Sequence, residues 1–173
     1  EDAIDAFRAA LALKPGFAEA HYHLALAHAA QGRHAEAIAE YQAALAAEPH
    51  FVGAHYELGR AHAAQGRHAE AIAEYKAALA LKPDFVKVYQ GLAATYADLG
   101  QYPEAIAALK AALAVIPAYP DGYNNLGLLY RKQGLLAEAI AAYQAAISIK
   151  PDFAPAYNNL GTAYHAQGKY PEA

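Results

Sequence analysis

AHAAQGRHAEAIAEY spans Ala27–Tyr41, and the same fifteen residues return at Ala61–Tyr75, 34 positions later. The same step governs the rest of the chain. Pro15, Pro49, Pro83, Pro117 and Pro151 keep it, as do Gly32, Gly66, Gly100, Gly134 and Gly168. A third series, Ala3, Ala37, Ala71, Ala105 and Ala139, is in the same register, each alanine following an acidic residue. Three independent series at one period define an internal repeat, and a period of this size belongs to a solenoid. A repeat of this kind cannot bury its apolar face alone, so its neighbours must present matching faces. Near-identity of two repeats is more than packing requires, and a recent duplication accounts for it.

In register, the full repeats are 18–51, 52–85, 86–119 and 120–153, flanked by 1–17 and a partial repeat at 154–173. Each holds two amphipathic segments. In the first, packing residues recur at places 4, 7, 8 and 11, as in Tyr123, Leu126, Gly127 and Tyr130, which is one face of a helix. The glycine that follows suits a helix C-terminal cap. The second segment opens with proline at Pro103 and Pro171 and carries Ile140, Tyr143 and Ile147 inward, with Pro151 as a stop. Alanine, the best helix former, is the commonest residue at 49 of 173, and runs of β-branched residues are absent. The class is all-α.

This pattern resembles the tetratricopeptide repeat. The fourth full repeat supplies the family signature as Tyr123, Leu126, Gly127, Tyr130, Gly134, Ala139, Tyr143, Ala146 and Pro151. Departures are His21 and His55 at place 4, His28 and His62 at place 11, and Leu109 in place of the aromatic at place 24. The resemblance covers essentially the whole chain. It implies a right-handed α-solenoid of 34-residue helix–turn–helix repeats that acts as a protein-interaction scaffold, with an extended peptide or partner helix docked in a concave groove. It also implies that partners touch places 2, 5, 6, 9, 12 and 13 of the first helices. Those places lie away from the packing set.

On that stripe the expected peptide-binding residues are Tyr22, Leu26, Tyr56, Arg60, Lys87, Gln90, Asn124, Asn125, Leu128, Arg131, Asn158 and Asn159. The N-terminal part is aromatic and aliphatic, and the C-terminal part is rich in amides, which can hold a peptide backbone by donor and acceptor together. Place 5 reads Tyr, Tyr, Gln, Asn, Asn, so the lysine-bearing clamp with which some family members grip chaperone tails is not reproduced. The asparagine ladder of O-linked sugar transferases is matched only at Asn125 and Asn159. A substrate-recruiting domain of a larger enzyme, such as a glycosyltransferase, is the alternative role.

Other chemistries fare poorly. The net charge of −4, with acidic and basic residues dispersed, opposes a nucleic-acid partner, and the strict 34-residue period opposes an RNA-reading pentatricopeptide array. No apolar stretch is long enough for a membrane span. There is no cysteine, one serine (Ser148) and no phosphate-cradling glycine cluster, so no enzymatic role and no cofactor are expected. Eight of the nine histidines lie between His21 and His68. His21, His28, His55 and His62 fall at inward-packing places, and His34 and His68 stand where other repeats have tyrosine (Tyr102, Tyr170); without the i, i+4 spacing of a zinc helix they read as packing residues rather than metal ligands. Protonating them would loosen the first two repeats.

The chain opens on Glu1 and contains no methionine, from which we expect a piece cut from a longer array. Its first segment would lack a partner helix, leaving Ile4 and Phe7 facing solvent, and the helix 154–167 would be uncovered at Leu160 and Tyr164. Complementary bare ends favour head-to-tail self-association. A mass by light scattering that stays monomeric at high concentration would count against it.

Overall fold

The computed structural model describes residues 2–168, and all the regular structure among them is helical. The described residues form ten helices: α1 (Asp2–Leu13), α2 (Ala18–Ala30), α3 (His34–Ala47), α4 (Val52–Ala64), α5 (His68–Leu81), α6 (Val86–Asp98), α7 (Tyr102–Val115), α8 (Pro120–Lys132), α9 (Leu136–Ile149) and α10 (Ala154–Ala166). The even-numbered helices begin 34 residues apart and are the first helices of the pairs. Tyr170 and Pro171, read above as the start of a further helix, lie outside the described residues.

The periodic glycine makes the turn within each pair. Gly32, Gly66, Gly100, Gly134 and Gly168 all have φ between 72° and 78°, a left-handed conformation that side-chain-bearing residues adopt at a cost. At the end of α4 the Gly66 amide donates to Ala63 O at 3.0 Å and the Arg67 amide to His62 O at 3.0 Å. These two bonds form a Schellman cap, and they satisfy carbonyls that the helix end would otherwise leave open. The same pair closes α2 at Gly32 and α8 at Gly134. Helix N-termini are handled differently. Phe17, Phe51, Tyr119 and Phe153 occupy the N-cap position of first helices with no side-chain cap bond.

The helices form two compact units, divided between Val88 and Tyr89. In the first unit α1 to α5 pack in sequence, each against the next. Its core joins Ala25, Ala37, Ile38, Tyr41 and Leu58. In the second unit α7 packs on α8, α8 on α9, and α10 on both α9 and α8. Its core joins Ala139, Tyr143 and Ala163, backed by Leu128, Tyr130, Ile140 and Leu160. Each core depends on a buried tyrosine beneath a very small residue. Tyr75 lies so close to Gly59 that a Cβ there would come 2.7 Å from the ring, and a Cβ at Gly127 would come 2.5 Å from Tyr143.

Two features of the chain ends differ from expectation. Ile4 is buried at 6% exposure, because α1 packs against α2 of the following pair instead of standing bare. Phe7 is half-buried and stacks on His23 at 5.5 Å between ring centroids. Leu160 and Tyr164 are likewise half-buried. Leu160 packs against the core of the second unit, and the Tyr164 hydroxyl accepts from Gln144 Nε2 at 3.0 Å. The large aromatic that α10 does expose is Tyr157.

A Cβ at Gly66 would meet nothing within 4 Å, so a substitution there reports the backbone alone. Gly66→Ala should cost about 1 kcal/mol of unfolding free energy, the left-handed penalty less the gain from a stiffer unfolded chain. Gly66→Asn should cost less. Denaturant titration reads both, and an unchanged midpoint for Gly66→Ala would contradict this account of the turn.

Candidate functional site

Two wells open on first-helix faces, one in each unit. In the first unit a cavity of about 330 Å³ is lined by Leu26 and Ala29 of α2 and by Glu57, Arg60 and Ala61 of α4, with Tyr41 of α3 among its walls. The charge in it is internally matched. Arg60 Nη1 donates to Glu57 Oε2 at 2.9 Å, and the Arg60 guanidinium lies 5.7 Å from the centre of the Tyr56 ring. In the second unit a cavity of about 310 Å³ occupies the equivalent register. Gln90, Ala93, Ala94 and Ala97 of α6 face Asn125, Leu128, Leu129, Arg131 and Lys132 of α8, and Leu109 of α7 replaces the tyrosine. Four expected contact residues, Gln90, Asn125, Leu128 and Arg131, therefore meet in one place.

Place 5 has another role. Tyr22 packs on Phe51 at 4.8 Å and Tyr56 on Phe85 at 5.1 Å. Gln90 Nε2 donates to the Tyr119 hydroxyl. Asn124 is buried at 8% exposure, and its Oδ1 accepts from Asn159 Nδ2 at 2.8 Å. The place-5 side chain thus ties its own first helix to the start of the next repeat. Tyr22, Tyr56 and Asn124 are correspondingly engaged within the protein, which corrects the expectation that they form a free stripe. The physical reason lies where the next repeat begins, in the last-place aromatics Phe51 and Phe85 for the tyrosines and in Asn159 for Asn124, none of which a helical period within one segment registers. Burial pushes the hydroxyls of Tyr22 and Tyr56 upward, and burial with Asp121 does the same to Tyr119. Lys87, Asn125 and Asn158 are exposed, as their places require.

The four histidines at places 4 and 11 divide into two kinds. His28 and His62 do replace aromatic packing residues, at 4% and 3% exposure. His21 and His55 instead form twin polar links. Nε2 of each donates to a proline carbonyl at 2.9 Å, Pro15 O and Pro49 O, so Nδ1 is left facing a carboxylate. Glu40 Oε2 and Glu74 Oε2 stand 2.6 Å away. These pairs were missed in the sequence, yet a signal is there. Glu stands at place 23 only where His stands at place 4, and the repeats with Tyr89 and Tyr123 carry Ala108 and Ala142. Protonation is opposed at His62. Among the described residues no group of three or more His, Asp or Glu side chains is placed to hold a metal ion, and no helix is long and apolar enough to cross a membrane.

A stacked set of glycine-capped helix pairs with a small residue over a buried aromatic is the architecture of a tetratricopeptide protein. Family matches agree: the tetratricopeptide repeat matches residues 1–50 and 28–74, and the TPR repeat matches 59–100, 95–134 and 129–168. A crystal structure of MamA shares 32% identity over 86% of this chain and 87% of its own, with a TM-score of 0.80. The chain belongs to the tetratricopeptide repeat family. More distant structures share the fold: MamA from Desulfovibrio magneticus RS-1, at 23% identity over 89% and 87% of the two chains, and YrrB, at 21% over 98% and 87%, each with a TM-score of 0.80. YrrB is described as a TPR protein with an unusual peptide-binding site. No curated protein matches the chain significantly.

Burial, then the Arg67 guanidinium, hold the His62 imidazole below its ordinary value of 6.5, against the opposing pull of Glu70 and Glu74. The fold therefore favours neutral His62. Its contribution is complete above about pH 6.5 and is lost as pH falls below it. His62→Tyr places the residue found at this position in other repeats (Tyr96, Tyr130) and removes that loss. The variant's advantage in melting temperature should be larger at about pH 5 than at about pH 7.5. An equal difference at both would show that His62 does not charge.

Proposed function

We propose that the chain is a non-enzymatic protein-interaction scaffold that docks an extended peptide or a partner helix on its first-helix face. The observation that supports this most is the well of the second unit. There, exposed Asn125 and half-buried Leu128 and Arg131 converge from α8 on an opening walled by the alanines of α6. Short side chains on α6 leave room, an amide offers a donor and an acceptor to a peptide backbone, and leucine supplies apolar contact. A well of this size is at the lower end of ligand-binding pockets, suited to one anchoring side chain rather than a whole small molecule. The fold is also one that in YrrB carries a peptide-binding site.

Asn158 and Lys87, both exposed on first helices, extend the surface available to a longer segment in their respective units. Leu26 and Arg60 do the same in the first unit, although Arg60 must leave Glu57 to reach a ligand. The expected self-association through Ile4, Phe7, Leu160 and Tyr164 is not part of this reading, since Ile4 is buried and the other three are half-buried.

Selection of random displayed peptides on the immobilised protein tests the proposal. Enriched peptides should bind the protein in solution, and Asn125→Ala with Leu128→Ala should weaken them about tenfold, roughly the loss of one well-placed contact. Failure to enrich any peptide, or enriched peptides indifferent to both changes, would overturn it.

A further inference from the structure

The two wells share a register but differ in chemistry, and the difference selects a ligand. In the first unit the cation of the rim, Arg60, is held by Glu57, and a phenol ring stands at place 24. In the second unit the rim carries Arg131 and Lys132, and among the described residues neither is in an ion pair with any carboxylate. Lys132 Nζ lies 5.9 Å from the centre of the Tyr102 ring, and the Arg131 guanidinium lies beside the Tyr143 hydroxyl, so both are positioned but not neutralised. Beneath them the lining is aliphatic: Leu109, Leu128, Leu129 and the alanines of α6. Leu109, at 1% exposure, stands where Tyr41, Tyr75 and Tyr143 stand elsewhere, and brings no hydroxyl to the floor.

We propose that this well is a specificity pocket for an acidic peptide, taking one large apolar side chain against Leu109 and Leu128 while adjacent side-chain carboxylates of the peptide pair with Arg131 and Lys132. The inference rests on the interaction reading above and adds the chemistry of the partner. An apolar cavity of about 150 Å³ already accommodates benzene, so a well of about 310 Å³ holds a phenylalanine ring with part of its backbone. Asn125 borders the mouth, where it can take up the peptide amides that insertion removes from water, and Gln90, whose Nε2 is given to Tyr119, keeps its Oε1 as an acceptor there. Two unneutralised cations above an aliphatic floor favour a carboxylate and disfavour a second cation, even though the chain as a whole carries a net charge of −4.

The test is a titration by fluorescence polarisation with a labelled heptapeptide, capped at both ends, in which one phenylalanine lies between two aspartates in an alanine–serine sequence. Replacing its phenylalanine with alanine should weaken binding at least tenfold. Exchanging its aspartates for lysines should do the same, and the preference for aspartate should shrink as salt rises. On the protein, Leu109→Tyr installs the residue that other repeats tolerate at this place, puts a phenol where the aliphatic floor would meet the phenylalanine ring, and should weaken the aspartate peptide at least tenfold. Ala94→Glu, at an exposed helical position on the rim, adds a competing carboxylate without touching the core and should have a similar effect. Arg131→Gln with Lys132→Gln should abolish the discrimination between aspartate and lysine. Undiminished binding to Leu109→Tyr and Ala94→Glu, equal binding of the lysine peptide, or no binding of the aspartate peptide at all would overturn the proposal. If selected peptides of other composition still bind at Asn125 and Leu128, the well assignment alone has failed; if no peptide binds, the interaction reading fails with it.

Discussion

The fold depends on one contact made several times: a tyrosine of a second helix seated under a residue with little or no side chain on its paired first helix. Alanine supplies helicity and close approach but little apolar bulk, so a chain this rich in it must obtain its core from few large residues. Tyr41, Tyr75 and Tyr143 are nearly inaccessible to solvent, and Gly59 and Gly127 leave no room for a Cβ above their rings. Burial drives the Tyr75 hydroxyl up to about 12 and raises those of Tyr41 and Tyr143. An uncharged phenol is thus part of the folded state, and stability falls as pH rises from about 10 toward the folded value. Two further series serve this packing. The left-handed glycine sets the return angle of the second helix, and fully buried alanines such as Ala37, Ala71 and Ala139 let it lie close.

Where the third repeat departs from this rule, the floor of a well changes its chemistry. Leu109 cannot reach as far as a tyrosine, and the well beside it is walled by Ala93, Ala94 and Ala97. The corresponding place in the first unit keeps its tyrosine and matches its own charge through Glu57 and Arg60. A repeat protein can differentiate its surface in this way without altering its scaffold, because each well is made by residues from adjacent helices and each can be changed alone.

Much of this was legible in the sequence. Proline, glycine and alanine at one period settle the class, the helix pairing and the position of every tight turn, since each series has its own backbone cause. The wells were half legible. Asn125, Leu128 and Arg131 fall on the exposed side of α8 by helical period alone, and that is where they stand. Tyr22, Tyr56 and Asn124 fall on the same side, yet they are engaged from outside their own helix, by Phe51 and Phe85 at the ends of their repeats and by Asn159 of the following one. Period within one helix says which side a residue is on and not what a neighbour brings to it. The same blindness made Ile4 look bare, although α2 covers it. The links from His21 to Glu40 and from His55 to Glu74 were open to detection by comparing repeats with one another, because histidine and glutamate change together.

We propose that this family member presents its function on first-helix faces. Amide chemical-shift mapping with a bound peptide, obtained by selection, tests it most directly. The account predicts perturbations concentrated around Asn125, Leu128 and Arg131 of α8, with the outward residues of second helices, such as Lys110 and Gln144, unmoved. Perturbations centred on Lys110, Gln144 or their neighbours, with α8 silent, would contradict it.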